Sequence, residues 1–221
     1  SKKNAIKYCF DLWGEQIQSF CDENIKSSVI LVGNSIGGIV ALRAAELLKE
    51  KCMGIVLIDC AQRTMDDKRL VKNDIIMNFL RPIIKTAVRT RFISHTIFRR
   101  AANKKVIREI LKKAYPSGDN INEQLIEILY KPSQRTNSAE AFRGFINLFD
   151  DYLATDLFEK VDTPIQLIWG EKDPWESLSE ARDWKKKFKN ITRLDIVPDA
   201  GHCPHDEDPN TTNRLIYNFL Q

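Results

Sequence analysis

The stretch Val29–Val40 (VILVGNSIGGIV) constrains the fold of this chain more than any other part of the sequence. It opens with four apolar residues in a row, which is typical of a strand buried on both faces of a sheet. After Ser35, apolar residues recur at helical spacing as far as Leu48. The motif Gly33-x-Ser35-x-Gly37 therefore lies between a predicted strand and a predicted helix. A serine on such a sharp turn projects from the sheet, with its hydroxyl exposed near the start of the helix.

Two glycines flank this serine, and we expect both to be needed for the tightness of the turn. A Cβ atom at Gly33 or at Gly37 would press on the neighbouring element. Gly and Ser are also common in turns of other kinds, so an ordinary strand–helix connection is the alternative. The strand before the motif and the helix after it favour a nucleophilic serine.

Outside one long segment, the chain alternates between helix and strand. An apolar stripe predicts a first helix within residues 1–26, and a second helix follows Ser35. Three later strands are predicted, at Gly54–Ile58, Ile165–Trp169 and Thr192–Val197. Two later helices are predicted, at Ser177–Lys189 and Asn210–Leu220. This alternation predicts an α/β fold with a parallel sheet covered by helices.

Residues 62–160 break the alternation, because they contain no predicted strand. Their apolar residues follow helical spacing, with an interruption at Pro82. The predicted helices cover four segments, 75–98, 106–111, 125–129 and 139–153. We therefore divide the chain into a core of residues 1–61 and 161–221 and a helical cap insertion of residues 62–160.

The basic residues are concentrated in this insertion. Residues 63–113 carry fifteen Lys and Arg against four Asp and Glu, a net charge of +11 in a chain whose total is only +4. Because the total charge is mild, we expect no nucleic-acid partner. The basic cap predicts a weak contact with an acidic membrane surface or the steering of an anionic substrate, with a solvated helical face as the alternative. The sequence leaves the oligomeric state open.

The five cysteines are scattered along the chain, and no pair has metal-ligand spacing. This usage favours free thiols in a reducing compartment, so we expect an intracellular protein. No apolar run approaches the roughly 18 residues that a membrane-spanning helix needs. We expect neither a metal ion nor an organic cofactor.

A serine hydroxyl is a poor nucleophile unless a base removes its proton and a third group orients that base. The sequence supplies both partners just after predicted strands. Asp173 follows the Ile165 strand, and His202 follows the Thr192 strand. Because the carboxyl ends of parallel strands share one edge of a sheet, Ser35, Asp173 and His202 should converge there. Their order along the chain is that of α/β-hydrolases.

Several alternatives remain within this edge of the sheet. Asp59 ends the Gly54 strand and could also reach the histidine. Asp173, before a proline, could simply initiate a turn, and His202 could be a surface loop residue. His205 lies farther from the strand end and is better explained as structural. Nothing in the sequence activates Cys203 as a nucleophile ahead of the serine.

With these residues placed, the sequence resembles the α/β-hydrolase superfamily, and more closely its plant and cyanobacterial pheophytinase-like branch. The matching stretches are Val29–Leu42, Trp169–Trp175 and Ala200–Glu207 followed by Pro209. The resemblance implies an α/β-hydrolase fold with a helical cap, and a catalytic triad of Ser35 as nucleophile, Asp173 as acid and His202 as base. It also implies a location in the cytoplasm or in a plastid-type organelle.

The chain departs from the family pattern at its start. Family members have several strands before this point and a His-Gly loop that supplies a second oxyanion-hole donor. Only the N–H of Ile36 remains as a donor here, and loss of one such donor lowers the rate by about 10²–10³. The Val29 strand would also become a bare edge with apolar faces. We therefore expect the native gene product to contain a preceding segment.

These observations predict a serine hydrolase that cleaves a small-molecule carboxylic ester, with a hydrophobic ester as one option, through an acyl-enzyme. The same motif is compatible with carbon–carbon bond hydrolysis or acyl transfer. A non-catalytic protein that uses the pocket as a receptor is an alternative of a different class. Because pockets diverge freely on one fold, the substrate cannot be named from the sequence.

Overall fold

The computed structural model describes residues 8–63, 75–148 and 150–221. Within them the chain forms two compact units. The first contains Phe10–Gln62, Lys112–Asn120 and Tyr152–Gln221, and the second contains the remaining described residues, chiefly those within 75–111 and 121–151. The division at residues 62 and 160 into core and cap stays a prediction, since the first unit also includes 112–120 and 152–160.

All four strands lie in the first unit and form one parallel sheet in the order β1-β2-β3-β4. Their bounds are Val29–Asn34 (β1), Cys52–Ile58 (β2), Ile165–Gly170 (β3) and Ile191–Val197 (β4). Each predicted strand is confirmed to within two residues at either end. The parallel arrangement follows from the helix that separates β1 from β2 and from the helix that separates β3 from β4.

Eleven α-helices occur in the described residues. Their bounds are Phe10–Asn24 (α1), Ile36–Leu48 (α2), Ile75–Arg89 (α3), Arg91–Ala101 (α4), Lys104–Ala114 (α5), Glu123–Ser133 (α6), Ser138–Ile146 (α7), Ala154–Phe158 (α8), Leu178–Lys187 (α9), Pro204–Glu207 (α10) and Pro209–Phe219 (α11). A short 3₁₀ turn, Lys49–Lys51, follows α2. The first seven residues of the helix predicted within 1–26 lie outside the described residues.

Helices cover both faces of the sheet. On one face, Gly38 of α2 lies so close to the end of β2 that an added Cβ would be 2.7 Å from Sγ of Cys60, the second residue after that strand. On the other face, Val56 and Ile58 pack against α11 through residues such as Leu215. The apolar residues of β3 are buried throughout, as expected for a central parallel strand.

The edge strand β1 differs from the prediction. Its burial alternates, and Ile30 and Val32 are 40% and 52% exposed, so the strand is not buried on both faces. The reason is its position, since β2 is its only partner strand among the described residues. The expectation of an edge strand with exposed apolar side chains is therefore confirmed.

The second unit is helical, and its described residues contain no strand, as predicted. Two details were predicted wrongly. Helix α3 continues through Pro82, and the break comes at Thr90, between α3 and α4. The helix predicted over 139–153 is shorter in the structure, because α7 ends at Ile146 and the described residues from there to Leu153 form no helix. No helix in the described part of the chain is long and apolar enough to cross a membrane.

Candidate active site

Polar residues directly follow the first two strands at the carboxyl edge of the sheet. Ser35 comes directly after β1, and Asp59 comes directly after β2. The backbone N–H of Ser35 donates to the Ile58 carbonyl at 2.9 Å, and that of Asp59 donates to the Ile168 carbonyl at 2.9 Å. The sheet's hydrogen bonding thus continues one residue past the strands, which fixes both residues at the edge where parallel sheets bind ligands.

The backbone of Ser35 has an unusual conformation, with φ 52° and ψ −124°. Residues other than glycine hold such angles at a cost of about 1–3 kcal/mol, and only where the surroundings enforce them. Here the Ser35 carbonyl accepts hydrogen bonds from the N–H groups of Gly38 at 3.0 Å and Ala61 at 3.1 Å. This strained strand-to-helix turn matches the geometry expected of a nucleophile elbow.

The two flanking glycines play different parts in the turn. A Cβ at Gly33 would lie 2.3 Å from the Gly37 carbonyl oxygen, so no side chain fits there. A Cβ at Gly37 would meet nothing within 4 Å. The prediction that Gly37 is required for space was therefore wrong, because its missing side chain would point into open space.

Ile36 is the first residue of α2. An N–H group in the first turn of a helix has no partner within that helix. The N–H of Ile36 therefore lies in the first turn of the helix beside Ser35, and its place in an oxyanion hole stays a prediction. The helix dipole adds a favourable potential for negative charge at the same point.

The predicted acid and base are in direct contact. Nδ1 of His202 lies 2.8 Å from Oδ2 of Asp173, and their side chains are only 10% and 1% exposed. The other carboxylate oxygen of Asp173 accepts from the N–H groups of Trp175 at 2.8 Å and Glu176 at 3.2 Å. Asp173 thus also shapes a turn, so its place in a turn is compatible with its contact to His202.

These bonds determine the charge on Asp173. Burial alone would raise the pKa of its carboxyl group, but the hydrogen bonds from His202 and from the Trp175 N–H outweigh burial and lower that pKa below its ordinary value. Asp173 is therefore a carboxylate at neutral pH. Since a carboxylate can only accept, Nδ1 of His202 carries a proton, and in the neutral form of this imidazole Nε2 is the nitrogen with the lone pair.

The loop that carries His202 is held tightly. The backbone N–H of His202 donates to the Ala114 carbonyl at 2.9 Å. The ring of Trp175 packs against the His202 imidazole in a T-shaped arrangement, with ring centroids 4.9 Å apart. The end of β3 presses against the same loop, since a Cβ at Gly170 would lie 1.8 Å from the Gly201 carbonyl oxygen. The acid and base loops can approach this closely only because residue 170 has no side chain.

Asn34 connects the elbow to this loop, and sequence reasoning missed it. Its side-chain amide donates to the main-chain carbonyls of Ile58 at 3.1 Å and His202 at 3.0 Å. One amide therefore joins the residue before Ser35 to the proposed base, across 168 positions of sequence. Its only sequence signal was its place inside the glycine-serine motif.

A second group of polar residues holds the loop after Asp173. Gln62 and Ser177 exchange two hydrogen bonds, of 2.7 and 2.8 Å, and the Gln62 N–H donates to the Glu176 carboxylate at 2.8 Å. Burial raises the pKa of Glu176 to about 7, although the Gln62 N–H opposes the shift. Neither Gln62 nor Glu176 was singled out from the sequence, because their pairing spans two separate loops.

The alternatives at this edge have distinct environments. Asp59 is fully buried, and burial raises the pKa of its carboxyl group to about 10. The carboxylate that contacts His202 belongs to Asp173 and not to Asp59. Burial also raises the pKa of the Cys203 thiol, so this group is neutral at pH 7. His205 is exposed on α10. No cluster of three or more metal-ligating side chains occurs within the described ranges.

Comparison with known proteins gives a family match. The alpha/beta hydrolase family matches residues 10–215. The chloroplastic pheophytinase of Arabidopsis thaliana is 26% identical over 225 residues, which cover 99% of this chain and 46% of that protein. A putative esterase/lipase of Haemophilus influenzae is 25% identical over 220 residues, covering 98% of this chain and 69% of that protein. The chain thus spans about half the length of the pheophytinase.

Solved structures show the same fold. A serine hydrolase involved in carbazole degradation superposes with a TM-score of 0.74 at 18% identity, over 100% of this chain and 75% of that one. At this identity the likeness establishes the fold and nothing more. Together with the parallel sheet and its helices, it establishes an α/β-hydrolase fold.

Proposed function

This chain belongs to the alpha/beta hydrolase family, and we propose that it is a serine hydrolase that cleaves a carboxylic ester through an acyl-enzyme. The observation that carries the proposal is the 2.8 Å contact between Nδ1 of His202 and the buried carboxylate of Asp173. That contact lies at the same sheet edge as the strained Ser35, to which Asn34 ties it. A buried, oriented imidazole beside a serine elbow is the arrangement that activates a serine hydroxyl.

In the proposed acylation step, Oγ of Ser35 attacks the ester carbonyl carbon while Nε2 of His202 takes the hydroxyl proton. The N–H of Ile36 donates to the oxyanion that forms. The bond from carbon to the alcohol oxygen then breaks, and His202 returns the proton to the departing alcohol. Asp173 remains ionised throughout and stabilises the imidazolium.

In the proposed deacylation step, His202 takes a proton from water as the water oxygen attacks the acyl carbon. The bond between this carbon and Oγ of Ser35 breaks, and His202 returns the proton to the serine. The products are a carboxylic acid and the regenerated hydroxyl. No atom outside the chain, the ester and water is required.

We assign the substrate to small-molecule esters of hydrophobic character. Trp175 supports this choice, because it is 44% exposed while its ring packs against the His202 ring. An exposed indole next to the base offers apolar surface to a bound acyl or alcohol group. The relative named as a putative esterase/lipase is consistent with this class.

A fluorophosphonate probe tests the proposal, because it labels only a serine that a neighbouring base has activated. We expect the protein to be labelled, Ser35→Ala to lose the label, and Ser27→Ala to keep it. Ser27 is an exposed residue in the connection before β1 and serves as the matched control. Absence of labelling in the unaltered protein would overturn the proposal and favour a non-catalytic receptor.

Hydrolysis of p-nitrophenyl butyrate separates ester cleavage from the other reactions of this fold. Release of p-nitrophenol that depends on Ser35 supports the esterase. Labelling without ester hydrolysis would contradict the proposed reaction and point to carbon–carbon bond cleavage or acyl transfer by the same residues.

A further inference from the structure

We propose that Asp59 acts as a neutral carboxylic acid that donates a hydrogen bond to Asp173 and thereby positions this carboxylate against His202. Asp59 is then a positioning residue, since it acts on the base only through Asp173. The proposal deepens the proposed function, because it concerns the residues assigned there to the triad.

The first support is the surroundings of the Asp59 side chain. The residue is fully buried at the end of β2. Its Oδ1 atom accepts a hydrogen bond from the Gly170 N–H at 2.9 Å. Its Oδ2 atom is buried and, if the group is ionised, has no hydrogen-bond donor among the described residues. A buried carboxylate with an unsatisfied oxygen is strongly disfavoured.

The second support is the neighbouring carboxyl group. A shared hydrogen bond between the two carboxyl groups raises the pKa of Asp59 and lowers the pKa of Asp173, in the sense expected when Asp59 holds the proton and donates it. Two adjacent carboxyl groups cannot both ionise without strong repulsion, so one of them keeps its proton. Among the described residues, Asp173 has three other donors, His202 and two backbone N–H groups, whereas Asp59 has one. The negative charge therefore resides on Asp173 and the proton on Asp59.

The other titratable groups around Asp59 do not change this assignment. The thiols of Cys60 and Cys203 lie near it, and burial raises the pKa of both, so they carry no charge at pH 7. Glu176 also faces the pair, and its negative charge would further disfavour ionisation of Asp59. The neighbouring acidic groups thus keep the proton on Asp59.

The backbone indicates that this placement is enforced. Asp59 has a φ of 42°, in the left-handed region that few non-glycine residues adopt. Its N–H donates to the Ile168 carbonyl, and its side chain binds the N–H at the end of β3. The residue thus bridges β2 and β3 next to the loop that begins at Gly170 and carries Asp173.

The decisive variant is Asp59→Asn, because an amide resembles a neutral carboxylic acid. Both groups have one oxygen that accepts a hydrogen bond and, beside it, a group that donates one. The amide oxygen can accept from Gly170 N–H and the amide NH₂ group can donate to Asp173. Asp59→Leu fills a similar volume without either group. We expect Asp59→Asn to keep kcat/KM within about threefold, and Asp59→Leu to lower it by about tenfold or more, the effect of one hydrogen bond.

A spectroscopic measurement makes the test independent of hydrolysis. The downfield proton NMR signal of the His202 Nδ1–H group reports its bond to Asp173, and Asp173→Asn identifies it by its loss. We expect this signal to persist in Asp59→Asn and to shift or vanish in Asp59→Leu. The measurement applies even if no ester is cleaved, so failure of the proposed function is seen separately from failure of this inference.

Two results would overturn the inference. If Asp59→Asn loses the signal or the activity as completely as Asp173→Asn does, Asp59 acts as a carboxylate and not as a neutral donor. If Asp59→Leu folds and matches the unaltered protein in both measurements, Asp59 does not position Asp173. If Asp59→Leu does not fold, the signal in Asp59→Asn alone decides between donor and carboxylate.

Discussion

The side-chain amide of Asn34 donates a hydrogen bond to the main-chain carbonyl of His202 at 3.0 Å. The residue before the proposed nucleophile thereby holds the loop of the proposed base. Because the same amide also donates to the Ile58 carbonyl, it joins three segments at the carboxyl edge of the sheet. The geometry of the site thus depends on a side chain that takes no part in the chemistry.

Replacing Asn34 should therefore reduce activity without removing any reacting group. We expect Asn34→Ala to lower kcat/KM for p-nitrophenyl butyrate by about tenfold, because two hydrogen bonds that orient the His202 loop are lost. Asn34→Asp should be at least as harmful, since a carboxylate cannot donate to either carbonyl. Asn24→Ala, which removes an exposed amide bond to the Phe20 carbonyl in α1, is the control and should have no effect.

Replacing Asp173 should affect the chemistry itself. In Asp173→Asn the amide cannot hold the proton on Nδ1 of His202 as a carboxylate does, and the wrong tautomer is favoured. We expect kcat to fall by about 10⁴, the size of this effect in a serine protease triad. Asp199→Asn is the matched control, because Asp199 forms an exposed ion pair with Lys172. Loss of less than tenfold in Asp173→Asn would contradict its assignment as the acid.

The two glycines of the elbow should respond in opposite ways. Gly33→Ala places a Cβ 2.3 Å from the Gly37 carbonyl oxygen, so the turn must deform. We expect a marked loss of thermal stability and of fluorophosphonate labelling. Gly37→Ala meets no atom within 4 Å and lies in the first turn of α2, where alanine is favoured over glycine by up to about 1 kcal/mol. Its stability should be unchanged or higher, as measured by thermal unfolding.

The buried proton of Asp59 should make stability depend on pH. The pKa of this carboxyl group is about 10 in the folded chain and about 3.9 in an unfolded chain, so the folded state binds more protons between these values. The free energy of unfolding should then fall as pH rises, with a contribution of at most about 1.4 kcal/mol per pH unit. Asp59→Asn cannot titrate and should lack this contribution.

Urea unfolding at several pH values between 5 and 9 measures the difference. The free energy of unfolding of Asp59→Asn, relative to that of the unaltered protein, should increase steadily with pH. Parallel curves for the two proteins would show that the Asp59 carboxyl group ionises alike in the folded and unfolded states. That result would also remove the thermodynamic basis for a neutral Asp59.

Local patterns made the sheet and the elbow predictable. Apolar runs, glycines and strand ends are encoded in short stretches, so Ser35, Asp173 and His202 could all be assigned to one edge of a parallel sheet. The spacing rule failed where tertiary context decides. Pro82 looked like a helix break, yet α3 continues through it, and β1 looked fully buried, yet its neighbourhood leaves Ile30 and Val32 exposed.

The relations that complete the site could not be read from the sequence. The bond from Asn34 to His202 and the pairing of Gln62 with Ser177 each link residues more than 100 positions apart. Asp59 was recognised as a rival acid, but its full burial and its bond to Gly170 become visible only in three dimensions. Such contacts depend on which loops meet at the edge of the sheet, and no local pattern records this.

The most direct test of the account is to trap the acyl-enzyme. The protein is mixed with excess p-nitrophenyl butyrate, quenched in acid within the first turnovers and digested for mass spectrometry. We predict a butyryl group on the peptide that contains Ser35, and its absence in Ser35→Ala. Hydrolysis that proceeds without any acyl group on Ser35, or that persists in Ser35→Ala, would contradict the account.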